Sequence, residues 1–407
     1  MKFPSCTTCT ILLVVLGTVS DPLGQQKTLA VGPGKRFAMP CQAIQHARAG
    51  DTIEVDSSSV YSGDVCGWST NRLTIRGVGG TLAKINAGGK NEQGKAIWVI
   101  AGDDTTIENI EFSGAAVSDG NGAAIRQEGA NLTIRNCFFH DNEEGILAGD
   151  NPKSTILVEF SQFSQNGSGD GRTHNIYVNH IAKFILRFSY SHHAKVGHLV
   201  KTRAAENFIL YNRLSDEVDG TASLELDLSN GGTSYVIGNI IQQGPETENS
   251  SILAYRMEGG DARNPGSQLF VMNNTFVNDR QEGGTFLQIK DDTPTAALVV
   301  NNIFYGPGKV TSQRNTVLMS NFVQKDPRFV DPAHYDYRLR PDSPARGAGT
   351  QPPVQAPFPL LPDHEYVHPA CGASRINAVK PDLGAIGSAA GLAEKTAPIR
   401  CQQVVIQ

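Results

Sequence analysis

Short runs in which apolar and variable residues alternate recur along the middle of the chain. Many of these runs are followed by an asparagine and then by another apolar residue. The interval is mostly about 24 to 28 residues, which is too long for a helix or a hairpin and is typical of a solenoid repeat. The aligned runs are LTIRG (73–77), TIENIEF (106–112), LTIRNCFF (132–139), ILVEFSQF (156–163), FILRFSYS (184–191), FILYNRL (208–214), YVIGNII (235–241), LFVMNNTF (269–276) and LVVNNIF (298–304).

This pattern predicts an all-β fold, a parallel β-helix. Each repeat would form one coil of short strands that pair with the coils above and below, about 4.8 Å away, around a narrow apolar core. An asparagine where a strand gives way to a turn tolerates left-handed backbone and can hydrogen-bond its counterpart in the next coil. A β-sandwich or a propeller is the alternative, although the repeats lack a four-strand blade. The residues expected in one register are Asn109, Asn136, Asn212, Asn239, Asn274 and Asn302, with Phe160 and Phe188 at the same place in two coils.

The N-terminal part differs from the repeats. Residues 1–20 read as a signal peptide, with Lys2 as the basic region, an apolar core at 11–16 and small residues before the cleavage point. We therefore expect a secreted protein, extracellular or periplasmic. A short helix over Cys41–Arg48 is a candidate cap, since an open first coil would expose apolar core and a sheet edge.

The repeats fade after about residue 310, so we predict the β-helix over 28–310 and an irregular extension over 311–407 that packs on the solenoid or caps it. With 42 glycines and 18% charged residues, the composition suits an all-β protein with many turns. The net charge of -5 and the lack of a Lys/Arg run argue against a nucleic-acid partner. No other segment is long and apolar enough to predict a membrane span.

Export would permit disulfides. Cys41 with Cys66 and Cys371 with Cys401 are plausible local pairs, which would leave Cys137 as a buried thiol, although spacing alone does not fix the pairing. After the predicted signal peptide, no CxxC motif or His/Cys cluster predicts zinc.

Residues 172–232 repeat ionisable residues at matched places, and strand alternation predicts that these side chains point outward. In SLELDLS (223–229) the leucines would point to the core, so the acidic residues between them would face solvent. His198 would face inward as a core histidine. Stacked coils would bring a phenol, two cations and two carboxylates within roughly 10 Å on one wall. The evenly spaced trios are Tyr177, Lys201, Glu225 and Asn179, Arg203, Asp227.

Such a wall suits an acidic sugar. A cation beside a uronate carboxylate acidifies the C5 proton, a base removes that proton, and an acid helps the glycosidic oxygen leave. Lys201 could be the base if Arg203 and burial depress its pKa, and Tyr177 or His174 could be the acid. The residues expected to contact substrate are Glu225, Asp227, Arg172 and His192.

Three other interpretations of the wall remain open. The acidic and basic residues could form a purely structural salt-bridge ladder. Glu225 and Asp227, about 7 Å apart on one strand face, could instead be the acid/base pair of a glycoside hydrolase. The wall could also bind a glycan without turnover, with the inserted loops 257–266 and 277–284 as sides of a groove.

The sequence resembles secreted right-handed parallel β-helix proteins of the pectate-lyase-like superfamily. The resemblance rests on the opening GPG…AIQHARAGDTIEV, the asparagine-bearing coils, the passage DPRFVDP…DYRLRPDSPARGAG and the ending PDLGA. It covers nearly all of the mature chain and implies a right-handed solenoid with an N-terminal cap. That superfamily includes polysaccharide lyases, galacturonan hydrolases, mannuronan epimerases, pectin esterases and members without assigned activity, so activity must be argued from the site.

The stretch VKTRAAENFILYNRL (200–214) looks like the lysine-bearing coil of chondroitinase-B-like and alginate lyases. In those enzymes a Lys on this coil is the base and an Arg one coil later assists. The likeness extends to Lys201 alone, because LELDLSNGG stands where the Arg-bearing coil is expected and AKVGH where calcium-binding carboxylates are expected.

We therefore expect a carbohydrate-active protein, with a polysaccharide lyase acting on an acidic glycan as the favoured activity. A hydrolase and a non-catalytic glycan-binding or structural solenoid are the alternatives. The expected partner is a polysaccharide, and the expected state is a monomer. No cofactor is assigned; calcium is the one metal considered, and the acidic turn of Asp216, Glu217 and Asp219 could hold it, although such turns are usually only solvated.

Overall fold

The computed structural model describes residues 26–323 and 325–388. Within them, successive short strands join three long parallel sheets in turn, and each strand pairs with the equivalent strands one coil earlier and one coil later. The all-β, parallel β-helix prediction is thus confirmed. The predicted signal peptide at 1–20 lies outside the described residues.

Sheet 1, the longest, contains the strands Thr28–Val31, Thr52–Asp56, Thr74–Val78, Thr105–Glu108, Leu132–Arg135, Asn151–Glu159, Ile181–Arg187, Glu206–Leu210, Thr233–Ile237, Leu269–Met272, Leu298–Val300 and Val317–Met319. Sheet 2 contains the strands Cys66–Trp68, Ala96–Ile100, Ala123–Gln127, Glu144–Ala148, Ile176–Val178, Lys201–Thr202, Leu226–Leu228, Ser251–Tyr255, Thr285–Ile289 and Lys309–Thr311. Sheet 3 contains the strands Val60–Ser62, Ala83–Asn86, Ile110–Ser113, Phe138–His140, Gln162–Ser164, Tyr190–His192, Arg213–Ser215, Ile240–Gln243, Thr275–Asn278, Ile303–Tyr305 and Phe322–Val323.

The core is a stack of like side chains because each parallel pairing puts equivalent positions of neighbouring coils side by side. Phe112, Phe139 and Phe163, for example, are fully buried and stack with ring centroids 5.2 and 4.8 Å apart. Burying an aromatic side chain stabilises the fold by roughly 2 to 3 kcal/mol. The narrow core therefore gains stability coil by coil.

The turn between sheets 1 and 3 corrects the asparagine prediction. The expected single register is wrong, because the asparagines occupy two adjacent columns. Asn109 and Asn136 have left-handed backbone, as do Phe160 and Phe188. The later asparagines lie one position further along, in the register of Cys137, and their side chains are buried.

This second column forms a hydrogen-bonded ladder along the solenoid. The backbone N–H of Asn212 donates to Asn239 Oδ1 at 2.9 Å, and the same contact links Asn239 to Asn274 and Asn274 to Asn302. Each side-chain amide also donates to a main-chain carbonyl of an earlier coil. Polar groups at the turn are thereby satisfied inside the core, which a buried polar group requires.

The N-terminal end is closed by a helix over Pro40–His46, within two residues of the predicted bounds. Its buried face packs against the first coils. Cys41 forms a disulfide with Cys66, as predicted, and links the helix to the first strand of sheet 2. Cys137 is a free and buried cysteine, also as predicted. Cys401 lies outside the described residues.

The solenoid strands continue to Val323, past the expected limit at 310. Residues 325–388 then run back along the outside of sheets 1 and 3. This segment contains a 3-10 turn at Pro332–His334, and its short antiparallel pairs are Phe329–Asp331 with Asp336–Leu339 and His364–Val367 with Cys371–Ser374. None of the helices among the described residues is long and apolar enough to cross a membrane.

Candidate active site

The outward face of sheet 2 brings together three ionisable side chains from successive coils. Tyr177 pairs with Lys201 in the parallel register, and Lys201 pairs with Asp227. Their strand neighbours Val178 and Leu228 are buried in the core. Tyr177 and Lys201 are therefore adjacent as predicted, whereas the prediction of Glu225 as the third member is wrong, because Asp227 takes that place.

Arg203 lies beside Lys201 on the same face. Its Nε donates to Tyr177 Oη at 3.0 Å, and its Nη1 donates to Asn230 Oδ1 at 2.5 Å. The Lys201 ammonium and the Arg203 guanidinium lie 5.6 and 5.8 Å from the Tyr177 ring centroid, within cation–π range. The phenol is thus held in a fixed position by the two cations.

A carboxylate that the repeat pattern does not predict completes the cluster. Glu258 Oε1 lies 2.7 Å from Lys201 Nζ, and Glu258 Oε2 lies 2.5 Å from Arg203 Nη2. One carboxylate therefore has one oxygen on each cation. Glu258 belongs to the inserted loop at 257–266, whose only signal in the sequence is its place between two repeats as a candidate groove side.

Two histidines lie beneath these charges. The rings of His174 and His198 stack with centroids 4.5 Å apart, and the His198 backbone N–H donates to His174 Nδ1 at 2.9 Å. Burial lowers the pKa of both, that of His198 to about 4. His198 is a largely buried histidine, as expected, but its Nε2 also lies 3.6 Å from Asp227 Oδ2. His174 is buried, so it is poorly placed to act as the acid.

The pKa of Lys201 is shifted in the direction opposite to the one a base would need. Burial lowers the pKa of Lys201, but the carboxylates of Asp227 and Glu258 outweigh burial, and the net shift is upward from 10.5. The expected depression by Arg203 and burial is therefore wrong for this arrangement. Lys201 and Arg203 are both cations at neutral pH, which suits them to bind an anion.

Glu225 faces away from this wall. Its side chain is 0% exposed, and among the described residues neither of its carboxyl oxygens has a hydrogen-bond partner. Burial, and then the nearby Asp216, raises the pKa of Glu225 well above its usual value. The expectation that Glu225 and Asp227 point to solvent together is wrong, since the chain bends at Glu225 before the strand begins at Leu226.

Arg172 and His192 are not part of the cluster. Arg172 is exposed in a turn, where its backbone N–H donates to Asp170. His192 belongs to sheet 3, where its ring stacks on Tyr190 with centroids 4.1 Å apart. Because the three sheets form different sides of the solenoid, the predicted contact of His192 with the sheet 2 wall is wrong.

The acidic turn does not fit calcium. The Asp216 carboxylate accepts from the Ala222 N–H at 2.8 Å, Glu217 is bound by Arg213, and Asp219 is bound by His193. The carboxylates thus have different partners instead of one centre. In residues 26–323 and 325–388, no group of three or more His, Cys, Asp or Glu residues could hold a metal ion.

Comparisons with known proteins agree on the architecture. A family model described as "Right handed beta helix region" matches residues 53–179. The crystal structure of pectate lyase Pel9A matches with a TM-score of 0.63 and 13% sequence identity, over 89% of this chain and 96% of that chain. A comparison with curated proteins finds no match. At this level of identity the likeness shows the fold alone.

Proposed function

We propose that this chain, which has the right-handed parallel β-helix fold of the pectate-lyase-like superfamily, is a secreted polysaccharide lyase that cleaves a uronate-containing glycan by β-elimination. The fold supports this proposal only as an architecture that such enzymes use, and the argument for activity comes from the site. The expected export and the expected monomer are part of the proposal.

One observation supports the activity above the others: Lys201 and Arg203 together hold the two oxygens of a single carboxylate. β-Elimination needs this arrangement, because negative charge accumulates on the uronate carboxylate as the C5 proton leaves. The Arg203 guanidinium, which keeps its charge when Lys201 releases its proton, is fixed in place to stabilise that charge in the transition state. A neutral sugar has no group that would use both cations.

The remaining roles follow from positions on the wall. Arg203 binds the substrate carboxylate. Tyr177 passes its proton to the leaving glycosidic oxygen at C4. Its oxygen accepts from Arg203 Nε at 3.0 Å, and its proton is donated to Asn179 Oδ1 at 3.4 Å, a long contact that the glycosidic oxygen would replace. Lys201, as the free amine, takes the C5 proton. A double bond then forms between C4 and C5, and the chain is cut.

This assignment predicts an alkaline enzyme. Because the carboxylates raise the pKa of Lys201 above 10.5, the free amine is a small fraction at neutral pH and increases about tenfold per pH unit below that pKa. We expect kcat/KM to rise with pH from 7 to 10. A rate that levels off near pH 7 would exclude Lys201 as the base. The variant K201R keeps the cation but removes the base, so activity retained by K201R would leave Lys201 only a binding role.

The decisive experiment uses the purified protein and a panel of unesterified polyuronates, with calcium or chelator, while ultraviolet absorbance of the unsaturated product is followed. A rise in absorbance that Y177F lowers by about 100-fold would support the proposal. New reducing ends without a rise would indicate hydrolysis. The Glu225/Asp227 pair is a poor candidate for it, because both side chains are buried. Glycan affinity with neither product would support the binding-only alternative.

A further inference from the structure

The carboxylate of Glu258 occupies the place where the proposed reaction puts a substrate carboxylate. The regular strands do not supply it, because the position after Asp227 in the sheet 2 register is Ala254. Without Glu258, the outward sides of Lys201 and Arg203 would face solvent. Its side chain is 40% exposed, whereas that of Lys201 is 12% exposed. Glu258 therefore lies over the cations from outside.

The loop that contains Glu258 is attached to the wall by surface contacts. Asp261 Oδ2 lies 3.0 Å from His180 Nε2, and Arg263 Nη1 lies 2.8 Å from Asp150 Oδ2. Asn264 Nδ2 donates to the carbonyl of Arg203 at 3.0 Å. Exposed ion pairs such as that of Arg263 contribute little to stability, so these contacts hold the loop down without fixing it there.

Displacement needs only the Glu258 side chain to move. The backbone around it is held, since the Glu258 N–H donates to the Ser229 carbonyl at 3.1 Å and the Gly259 carbonyl accepts from Asn230 Nδ2 at 3.1 Å. The side chain is partly exposed, so rotation about its own χ angles would take the carboxylate off the cations. The contacts of Asp261, Arg263 and Asn264 with the wall, which we call the latch, would stay in place.

We propose that Glu258 is a built-in competitor: it imitates the carboxylate of the substrate, and a sugar binds by displacing it from Lys201 and Arg203. This inference rests on the proposed function and makes it more specific. When Glu258 is displaced, the cations lose a negative charge, and only a ligand with a free carboxylate replaces it. A methyl-esterified uronate leaves Arg203 without a carboxylate partner and Lys201 with Asp227 alone. The binding subsite therefore selects unesterified uronate.

The size of the effect follows from mass action. If Glu258 occupies the subsite in about nine molecules of ten, the apparent Kd of a competing carboxylate is about ten times the intrinsic value. Replacing Glu258 by glutamine keeps the size and one acceptor oxygen but removes the charge. We expect E258Q to bind a uronate at least about five times more tightly than the unmodified protein.

The test uses galacturonate and glucuronate, monosaccharides with no glycosidic bond at C4 to cleave, and their methyl esters. Affinities are measured by NMR titration at fixed ionic strength. The matched control is E282Q, which makes the same change in another inserted loop, where Glu282 is exposed beside Arg280 at 3.7 Å. A second variant, R263A, keeps Glu258 but removes the ion pair of Arg263 with Asp150, which helps to hold the loop on the wall. Thermal unfolding checks that each variant is folded.

Tighter binding of the free acids by E258Q, and in smaller measure by R263A, with E282Q unchanged and the esters unaffected, would support the inference. Equal affinities across the proteins would overturn it, as would the absence of binding by E258Q or an equal gain for the esters. Cleavage is scored separately. If E258Q binds the free acids more tightly but the protein cleaves no polyuronate, the inference about the carboxylate subsite stands and the lyase proposal fails.

Discussion

Two rows of charged side chains run along this solenoid, and they are built differently. On sheet 1 the signs alternate from strand to strand: Glu108, Arg135, Glu159 and Arg187 occupy successive coils in register. Glu159 accepts from Arg135 at 2.5 Å and from Arg187 at 2.6 Å, and its side chain is 4% exposed. Each charge on this row is matched by its neighbour in the regular pattern.

On sheet 2 the regular pattern leaves an imbalance. Lys201 and Arg203 come from one coil, and the strand register supplies one carboxylate, Asp227, which pairs with Lys201. The second carboxylate, Glu258, arrives from an inserted loop. A row that neutralises itself through its own repeat is a stabilising element. Where the second carboxylate comes from an inserted loop, a ligand carboxylate can take its place without any change in the strands.

The largest expected effect separates the two rows by activity. Replacing Arg203 by alanine should lower kcat/KM on a cleaved polyuronate by about 10³-fold, since it removes the cation that stabilises the developing charge. Replacing Arg187 on sheet 1 by alanine deletes the same kind of side chain and should change kcat/KM by less than about twofold. The measurement is initial rate of unsaturated product at matched concentrations of folded protein. A similar loss in both variants would remove the distinction.

The next effect separates the rows by stability. In E159Q the buried carboxylate that holds two guanidinium groups is lost, and we expect unfolding free energy to fall by about 2 kcal/mol, less than for a fully buried pair because both arginines are partly exposed. In E258Q the loss should stay within about 0.5 kcal/mol. Denaturant unfolding measures both. A larger loss in E258Q than in E159Q would make Glu258 a structural residue.

The smallest effect concerns Glu225, which the sequence pattern places on the wall and the structure places inside. Its folded pKa is raised, so the native state holds a proton that the unfolded state releases, and stability falls as pH rises above about 4.5. E225Q should therefore match the unmodified protein at pH 4 and become the more stable of the two as the pH is raised to 8. Its activity should be unchanged. Lost activity at full stability would return Glu225 to the site.

The fold was predictable because a parallel solenoid repeats its buried side chains. Phe112, Phe139 and Phe163 recur at nearly constant spacing, and alternation assigns them to the core. The asparagine ladder was predicted less accurately. From Asn212 onward the asparagines lie one position past the left-handed residue, and an alignment by residue type cannot separate two neighbouring columns that both accept asparagine.

The site was predictable only where the coil length stayed constant. Tyr177 and Lys201 are adjacent as expected, but Lys201 is paired with Asp227, two residues later than equal spacing gives. The bend at Glu225 accounts for the two extra residues, and no residue type in this stretch predicts a bend there. The place of Glu258 in the site could not be predicted for another reason. A loop residue is positioned by tertiary contacts such as those of Arg263 and Asn264, and such contacts do not recur from repeat to repeat.

The segment over 325–388 has a consequence for how the molecule comes apart. In a solenoid without such a segment, each coil contacts only its neighbours, so the coils would unfold from the ends one at a time. Here Tyr211 is tied to Asp363, and Asn301 to Thr350, so turns far apart in the stack share one outer strap. Because the strap follows the coils along the chain, the coils would form first and be joined into one cooperative body when the strap packs on them.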